Sequence, residues 1–289
     1  MAEMSVARSS RRSRKAIAKA LVFYIVSIPV TIAFIGPYAL AFLGAFKTQQ
    51  EIASNLPWAL PEHPSLSNFR SLLFGEGFLR SFLVTLAASL LLTVGQVLCS
   101  MLGAYAFARL SFRGRDVLFG VYLSTLMVPN VVTMIPLFIM MKYLHLINTF
   151  WVLVIPYVFG TAYAVFLMRQ FFLSIPEDLI FAAKLDGCGE LQTLIRIVVP
   201  LSRPILVVAS VIGFVFGWNN FLWPLIATSS GELQVLTVAL SNFQADANVA
   251  PRWNLLFAGV SLTLLPVLIV FVVFQRWIVS SIQLGGVSR

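Results

Sequence analysis

Charge is scarce in this chain. Of its 289 residues, Lys and Arg supply 20 and Asp and Glu supply 11, together 11%, against roughly a quarter in an average soluble domain. With 59% apolar residues and a mean hydropathy of +0.91, the chain reads as an integral membrane protein. Reactive groups are scarce too. No G-x-x-x-x-G-K-[ST] run occurs, so the chain has no phosphate cradle of its own for ATP. The two histidines, His63 and His145, fall in different loops without metal-ligand spacing, and no G-x-S-x-G elbow is present. The two cysteines, Cys99 and Cys188, fall in a span and in a cytoplasmic loop, where they cannot readily pair. An enzyme reading therefore finds no reactive cluster, and no metal or cofactor site is expected.

What is present is a series of long apolar runs. Six stretches lack Asp, Glu, Lys and Arg and are long enough to cross a hydrocarbon core at about 20 residues per crossing. They lie near residues 20–46, 81–108, 117–141, 150–168, 205–230 and 254–275. Their length predicts helices, since a membrane β-strand would be about 10 residues of alternating polarity. The first follows an Arg-rich stretch like that of a signal peptide, but it is too long for one and is expected to remain as an uncleaved span. Pro129, Pro136, Pro156, Pro224 and Pro266 lie in or at the ends of spans and predict static bends that fit the bundle.

Basic residues set the orientation. Fifteen of the 20 (Arg8, Arg11, Arg12, Arg14, Lys15, Lys19, Arg109, Arg113, Arg115, Arg169, Lys184, Arg196, Arg203, Arg276 and Arg289) fall on one side of these spans. Lys47, Arg70, Arg80, Lys142 and Arg252 fall on the other. The positive-inside rule places both termini in the cytoplasm. It also accounts for the net charge of +9 without invoking nucleic acid. No internal repeat or dividing linker is evident, so residues 20–279 read as one six-helix domain, between a basic arm at 1–19 and a cytoplasmic tail at 280–289.

Between Ser174 and Pro204 the apolar pattern gives way to a polar stretch, SIPEDLIFAAKLDGCGELQTLIRIVVPLSRP. Ser174 followed three residues later by Glu177, with Pro176 between, is a capping-box signature for a helix start. Asp186 and Gly187 stop that helix, because Gly takes the left-handed conformation that closes a helix C-terminus. Gly189 is expected to loosen the bend. Leu191, Leu194, Ile195 and Val198 then recur at helical spacing, with Glu190, Gln192, Thr193 and Arg196 on the other face. The pattern alone fits either a docking element for a partner or an amphipathic helix lying in the headgroups.

A resemblance separates those two. The run FAAKLDGCGELQTLIRIVVPLSRP, from Phe181 to Pro204, resembles the Glu-Ala-Ala-x-x-Asp-Gly loop of bacterial ATP-binding-cassette importer permeases, matching it at Ala182, Ala183, Asp186, Gly187, Ile197, Pro200 and Pro204. The runs Tyr105–Arg115, Met127–Tyr157, Gly217–Ile226, Thr237–Gln244 and Gln275–Arg289 are similar to the second, MalG-like permease of the carbohydrate-uptake branch. Phe181 stands where that family usually has Glu, and Cys188 where it usually has Ala, so the family's carboxylate role has no counterpart at position 181.

The resemblance implies an all-α membrane protein of the type I importer fold in a bacterial inner membrane, with six transmembrane helices and a cytoplasmic coupling helix between the fourth and fifth. It implies a second permease, two ATPase subunits that hold ATP and Mg, and an extracellular solute-binding protein or lipoprotein. It further implies that Ala182, Ala183, Asp186, Gly187, Leu191, Leu194, Ile195 and Pro200 seat in the ATPase. For the solute path, polar or aromatic residues within apolar spans are the candidates: Gln96, Asn130, Tyr163, Trp218, Asn219 and Asn220. The competing role is an interhelical hydrogen bond worth about 0.6 kcal/mol. The Trp218-Asn219-Asn220 cluster suits a sugar ring, which has an apolar face and a hydroxyl rim. The rival function is a stand-alone secondary carrier. It is disfavoured because the six spans contain no carboxylate, histidine or basic side chain to couple an ion.

Overall fold

A computed structural model describes the backbone of residues 2–245 and 251–286, and the side chains of 19–244 and 251–277. Of the expected basic arm at 1–19 and tail at 280–289, the side chains of 1–18 and 280–289 lie outside that set. Among the described residues all regular structure is helical. The chain forms two compact units, Met1–Leu72 with Asp246–Leu262, and Leu73–Ala245 with Thr263–Arg289.

In the first unit, helix α1 (Ala2–Gly44) runs into α2 (Gln49–Ser54) and α3 (Ser67–Gly75). Helix α2 starts at a capping box in which the Thr48 hydroxyl accepts from the Glu51 N–H and the Glu51 carboxylate accepts from the Thr48 N–H. Asn68 is buried where its amide donates to the carbonyls of Ala45 and Lys47, and its oxygen accepts from Asn254. That one side chain satisfies backbone groups left open at the end of α1. Lys47 is buried as well, with its ammonium directed at the carbonyls of Leu56 and Pro57.

The second unit is organised on α4 (Phe78–Arg109), along which other helices pack. One face of α4 carries Ser81, Thr85, Ser89, Thr93, Gln96 and Ser100, all buried. Spacings of three and four place them in a single seam. Thr85 and Thr93 donate to the carbonyls four residues back, which satisfies their hydroxyl protons within α4, and the Thr85 hydroxyl also accepts from the Leu236 N–H. Small residues in such a seam allow helices to approach closely.

After α4 come α5 (Arg115–Ser124), α6 (Asn130–Tyr143), α7 (Ile155–Val158), α8 (Ala162–Leu173), α9 (Glu177–Leu185), α10 (Glu190–Thr193), a π-helical turn at Leu194–Val198, α11 (Val199–Leu201), α12 (Arg203–Trp218), α13 (Leu222–Ala227) and α14 (Leu236–Ala245). The last helix, α15 (Trp253–Gly286), begins in the first unit and ends in the second. Opposite the α4 seam, α12 presents Gly213 and Gly217. A Cβ on Gly217 would lie 3.2 Å from the Ser89 backbone, and one on Gly213 would lie 2.9 Å from the Gln96 amide oxygen.

Among the described residues, three helices are long and apolar enough to cross a membrane: Lys19–Gly44, Phe78–Arg109 and Trp253–Trp277. Three bent pairs pass the same test, giving up to six spans by length and composition. The expected spans at 117–141, 150–168 and 205–230 are each interrupted, the first at Pro129, where a bend was expected. The first is bent by 102° between Met127 and Asn130. There Val128 is extended ahead of Pro129, as the proline ring demands. The second bends by 42° around Gly160, whose φ of +93° and contact with Ser100 both require a glycine. The third stops at Trp218 and restarts at Leu222.

Candidate functional site

The polar stretch folds as the helical hairpin α9–turn–α10. The predicted capping box does not form. Ser174 belongs to the end of α8, where its hydroxyl donates to the Phe171 carbonyl, and Pro176 occupies the N-cap of α9. Glu177 still begins the helix, and its carboxylate lies 3.9 Å from Arg109 instead. Arg109, at the end of α4, is almost fully buried and donates to the carbonyls of Phe172 and Ile175. Its guanidinium thereby satisfies acceptors that the α8 C-terminus leaves open.

The turn follows the expected chemistry. Gly187 has φ +82°, its N–H donates to Lys184 O at 3.0 Å, and Cys188 N–H donates to Ala183 O at 2.9 Å. That pair of bonds is a Schellman motif with Gly187 at the left-handed position. Gly189 behaves differently from the expectation: its φ of −71° and ψ of 168° are open to any residue. It caps α10, its N–H donating to the Gln192 side chain and its carbonyl accepting from the Thr193 N–H and hydroxyl.

The apolar stripe of the second helix is divided. Leu194 and Val198 are buried at 1% and 0% exposure in a core with Ala104, Tyr105, Met168 and Phe172, whereas Leu191 and Ile195 are exposed. At 100° per residue the four span about 100° of helix circumference. One edge of the stripe turns to the bundle and the other turns out. Thr193, expected on the polar face, is buried. Of the other residues implied by the resemblance, Ala183 is buried, and Ala182, Asp186, Gly187 and Pro200 are exposed. Leu185, 89% exposed, and Phe181, 58% exposed, add to the outward apolar surface. The signal for Leu185 was its place just before the closing turn, where a helix runs out of neighbours to bury it.

Polar contacts tie the hairpin to α4. The Tyr105 hydroxyl donates to Glu190 Oε2 at 2.7 Å, and Lys184 Nζ lies 2.8 Å from Glu190 Oε1. These contacts, Lys184 first, hold the Glu190 carboxyl below its ordinary range. On the same side, Arg169 lies 3.6 Å from Asp116 and over the Phe119 ring. The segment Glu190–Leu201 meets α12 at 85°, so the hairpin lies across the direction of the helix that follows it.

The six solute-path candidates do not form one cavity. Trp218 is fully buried: Phe214 stacks on its ring, Phe82 meets its edge, and its indole N–H donates to the Thr263 carbonyl. No ring face is left for a sugar, because Trp218 ends α12 with its ring wholly inside the packed core. Asn219 is exposed and donates to Val215 O. Asn220 borders a recess of about 10 Å³ with Thr85, Ser89 and Gly217, room for about one water. Gln96 is buried and donates to the Thr161 hydroxyl at 3.2 Å. Asn130 is exposed at the start of α6, and Tyr163 is partly exposed on α8.

Comparison with known proteins places this geometry. Residues 96–284 match the family model of the binding-protein-dependent transport system inner membrane component. The chain is 32% identical over 263 residues to the arabinooligosaccharides transport system permease protein AraQ of Bacillus subtilis, covering 90% of this chain and 92% of that one. It is 34% identical over 206 residues to the sn-glycerol-3-phosphate transport system permease protein UgpE of Yersinia pestis, covering 71% and 72%. Among solved structures, a chain of a bacterial ABC transporter involved in the import of the acidic polysaccharide alginate superposes with a TM-score of 0.78 at 24% identity, over 91% of this chain and 97% of that one. The chain belongs to the family of binding-protein-dependent transport inner membrane components.

Proposed function

We propose, from that membership, that the chain is the permease subunit of an ATP-binding-cassette importer for a sugar or sugar-like solute, and that it lines half of the translocation path. Six spans cross a bacterial inner membrane in this reading, two of them as the bent pairs Arg115–Met127 with Asn130–Tyr143 and Phe150–Val158 with Ala162–Leu173, and one through α12, and both termini are cytoplasmic. The chain is non-catalytic. A second permease completes the path, two ATPase subunits hydrolyse ATP, and an extracellular solute-binding protein delivers the solute.

The observation that carries the reading is the hairpin: a Schellman-closed turn that buries Ile180, Ala183, Leu194 and Val198 in its own bundle while presenting Phe181, Leu185, Leu191 and Ile195 outward. An exposed apolar surface at the tip of a polar loop marks a partner. Ala182, Asp186, Gly187 and Pro200 border it and seat with it in the ATPase, whereas Ala183 and Leu194 support it from behind. Phe181 makes an apolar contact where relatives carry a carboxylate. Closure of the ATPase pair then swings the hairpin as a rigid body, opening the cavity outward with ATP bound and inward after hydrolysis.

The path is formed by Asn219, Asn220, Tyr163 and Asn130, with Gln96 and Trp218 as packing residues behind them. The substrate is assigned as a neutral sugar, since the apolar stretches within the spans carry no Arg or Lys to balance a phosphate. Reconstitution in vesicles tests the reading. With the co-purified subunits, ATP should drive uptake of a labelled arabino-oligosaccharide, and sn-glycerol 3-phosphate should not compete. Uptake by this chain alone would establish the stand-alone carrier in its place.

A further inference from the structure

The contacts between α4 and the hairpin do more than hold two surfaces together. Glu190 stands at the start of α10 and Lys184 in the last turn of α9, on opposite sides of the Gly187 turn. Their 2.8 Å pair closes the hairpin across its bend. The second oxygen of the same carboxylate accepts a hydrogen bond from the hydroxyl of Tyr105, a residue only 4% exposed on α4. Four residues along the same face of α4, Arg109 holds the entry to the hairpin, through the carbonyls of Phe172 and Ile175 just before it and the Glu177 carboxylate 3.9 Å away at its start. One face of α4 therefore fastens the hairpin at both its entry and its turn.

The apolar contacts behind the hairpin are non-directional and tolerate sliding. A charge-assisted hydrogen bond fixes distance and angle. The hairpin's second half lies at 85° to α12, so a push on it is lateral and needs such a fastening to become a tilt of the bundle. We propose that Tyr105, Glu190 and Lys184 form the transmission joint of this subunit, with Glu190 as a positioning residue that makes the hairpin one rigid piece and locks it to α4. The joint rests on the permease reading given above. It adds the element of the transmembrane bundle to which the coupling loop is geared.

The test uses the assembled transporter in nanodiscs and compares wild type with Tyr105→Phe, Glu190→Gln, Glu190→Ala and the double variant Tyr105→Phe/Glu190→Ala. Solute moved per ATP hydrolysed should fall about fivefold or more in Tyr105→Phe and Glu190→Ala, the range of an ordinary coupling free energy. Glu190→Gln keeps an acceptor for the tyrosine and should fall less, and the double variant should be no worse than the worse single. A role in folding alone would lower assembly yield and melting temperature and leave that ratio in place. In the purified full-length chain, hydrogen-exchange protection of Gly187 and Cys188 should drop in Tyr105→Phe without a matching drop in α8. A wild-type ratio in Tyr105→Phe, additive losses in the double variant, or unchanged protection at the turn would overturn the joint. A wild-type complex that recruits no ATPase would instead overturn the permease reading, and the exchange data would still judge the joint.

Discussion

Substitution of Gly187 offers a graded test of the hairpin. The residue sits at φ +82°, and no atom lies within 4 Å of where a Cβ would be. The penalty for a side chain is therefore purely conformational. An L residue held left-handed costs about 1–2 kcal/mol, and at 1.4 kcal/mol per tenfold Gly187→Ala weakens the closed turn roughly 5- to 30-fold. Asn enters the left-handed region more readily, so Gly187→Asn should lie between Gly and Ala. Proline is worse on two counts. Its ring fixes φ near −65°, and it removes the N–H that donates to Lys184, for a combined cost of about 3 kcal/mol or more. Vesicle uptake normalised to the amount of chain in the membrane should rank Gly, Asn, Ala, Pro in descending order, with co-purifying ATPase falling in the same order. Wild-type uptake by Gly187→Pro would refute both the turn's role and the rigid-lever argument built on it.

The α4 seam predicts opposite outcomes for two neighbouring glycines. Gly217→Ala pushes against the backbone of Ser89 and should lower the melting temperature, at a cost of about 1–3 kcal/mol, while Gly213→Ala meets only the movable end of Gln96 and should be neutral or slightly stabilising through helix propensity. Trp218→Phe removes the indole donor to Thr263 and should cost about 1 kcal/mol of stability with the KM for uptake unchanged; a raised KM would return Trp218 to the solute path. The depressed Glu190 carboxyl gives a pH prediction with a fixed sign. Its folded value lies below the ordinary 4.5, so its contribution is fully present above that value and is lost only as pH falls through the lower one. Protection factors at Gly189–Thr193 should accordingly stay flat from neutral pH down to the ordinary carboxylate range and fall below it.

Much of the architecture was legible in sequence because the membrane imposes a coarse rule: a helix that spans must be long and uncharged. That rule located Lys19–Gly44, Phe78–Arg109 and Trp253–Trp277 as helices, and the apolar content of the three bent pairs. The bend at Pro129 was legible from the proline itself, whereas the one at Gly160 was not, because hydropathy does not register a glycine that interrupts a helix. The polar seam of α4 was hidden for a related reason. Ser and Thr are mild enough to pass an apolar window, and only their three- and four-residue spacing reveals one face.

At the hairpin, local chemistry was legible and burial was not. The Schellman turn at Gly187 depends on residues adjacent in the chain, and sequence carried it. Which of Leu191, Leu194, Ile195 and Val198 face outward depends on the angle at which the helix lies on α4 and α8, which no periodicity encodes. Ser174 failed as a cap because α8 extends to it, and its hydroxyl found a nearer carbonyl at Phe171. The Trp218-Asn219-Asn220 cluster divides where α12 ends: Trp218, its last residue, lies in the core, Asn219 is exposed and Asn220 is partly buried. The residues that link the hairpin to α4 escaped notice because each looked ordinary alone. Tyr105 and Arg109 lay within a recognised stretch, and Lys184 and Glu190 flanked the turn. The pairing of Tyr105 with Glu190 across 85 residues of chain is a property of the fold, formed only when the hairpin packs on α4.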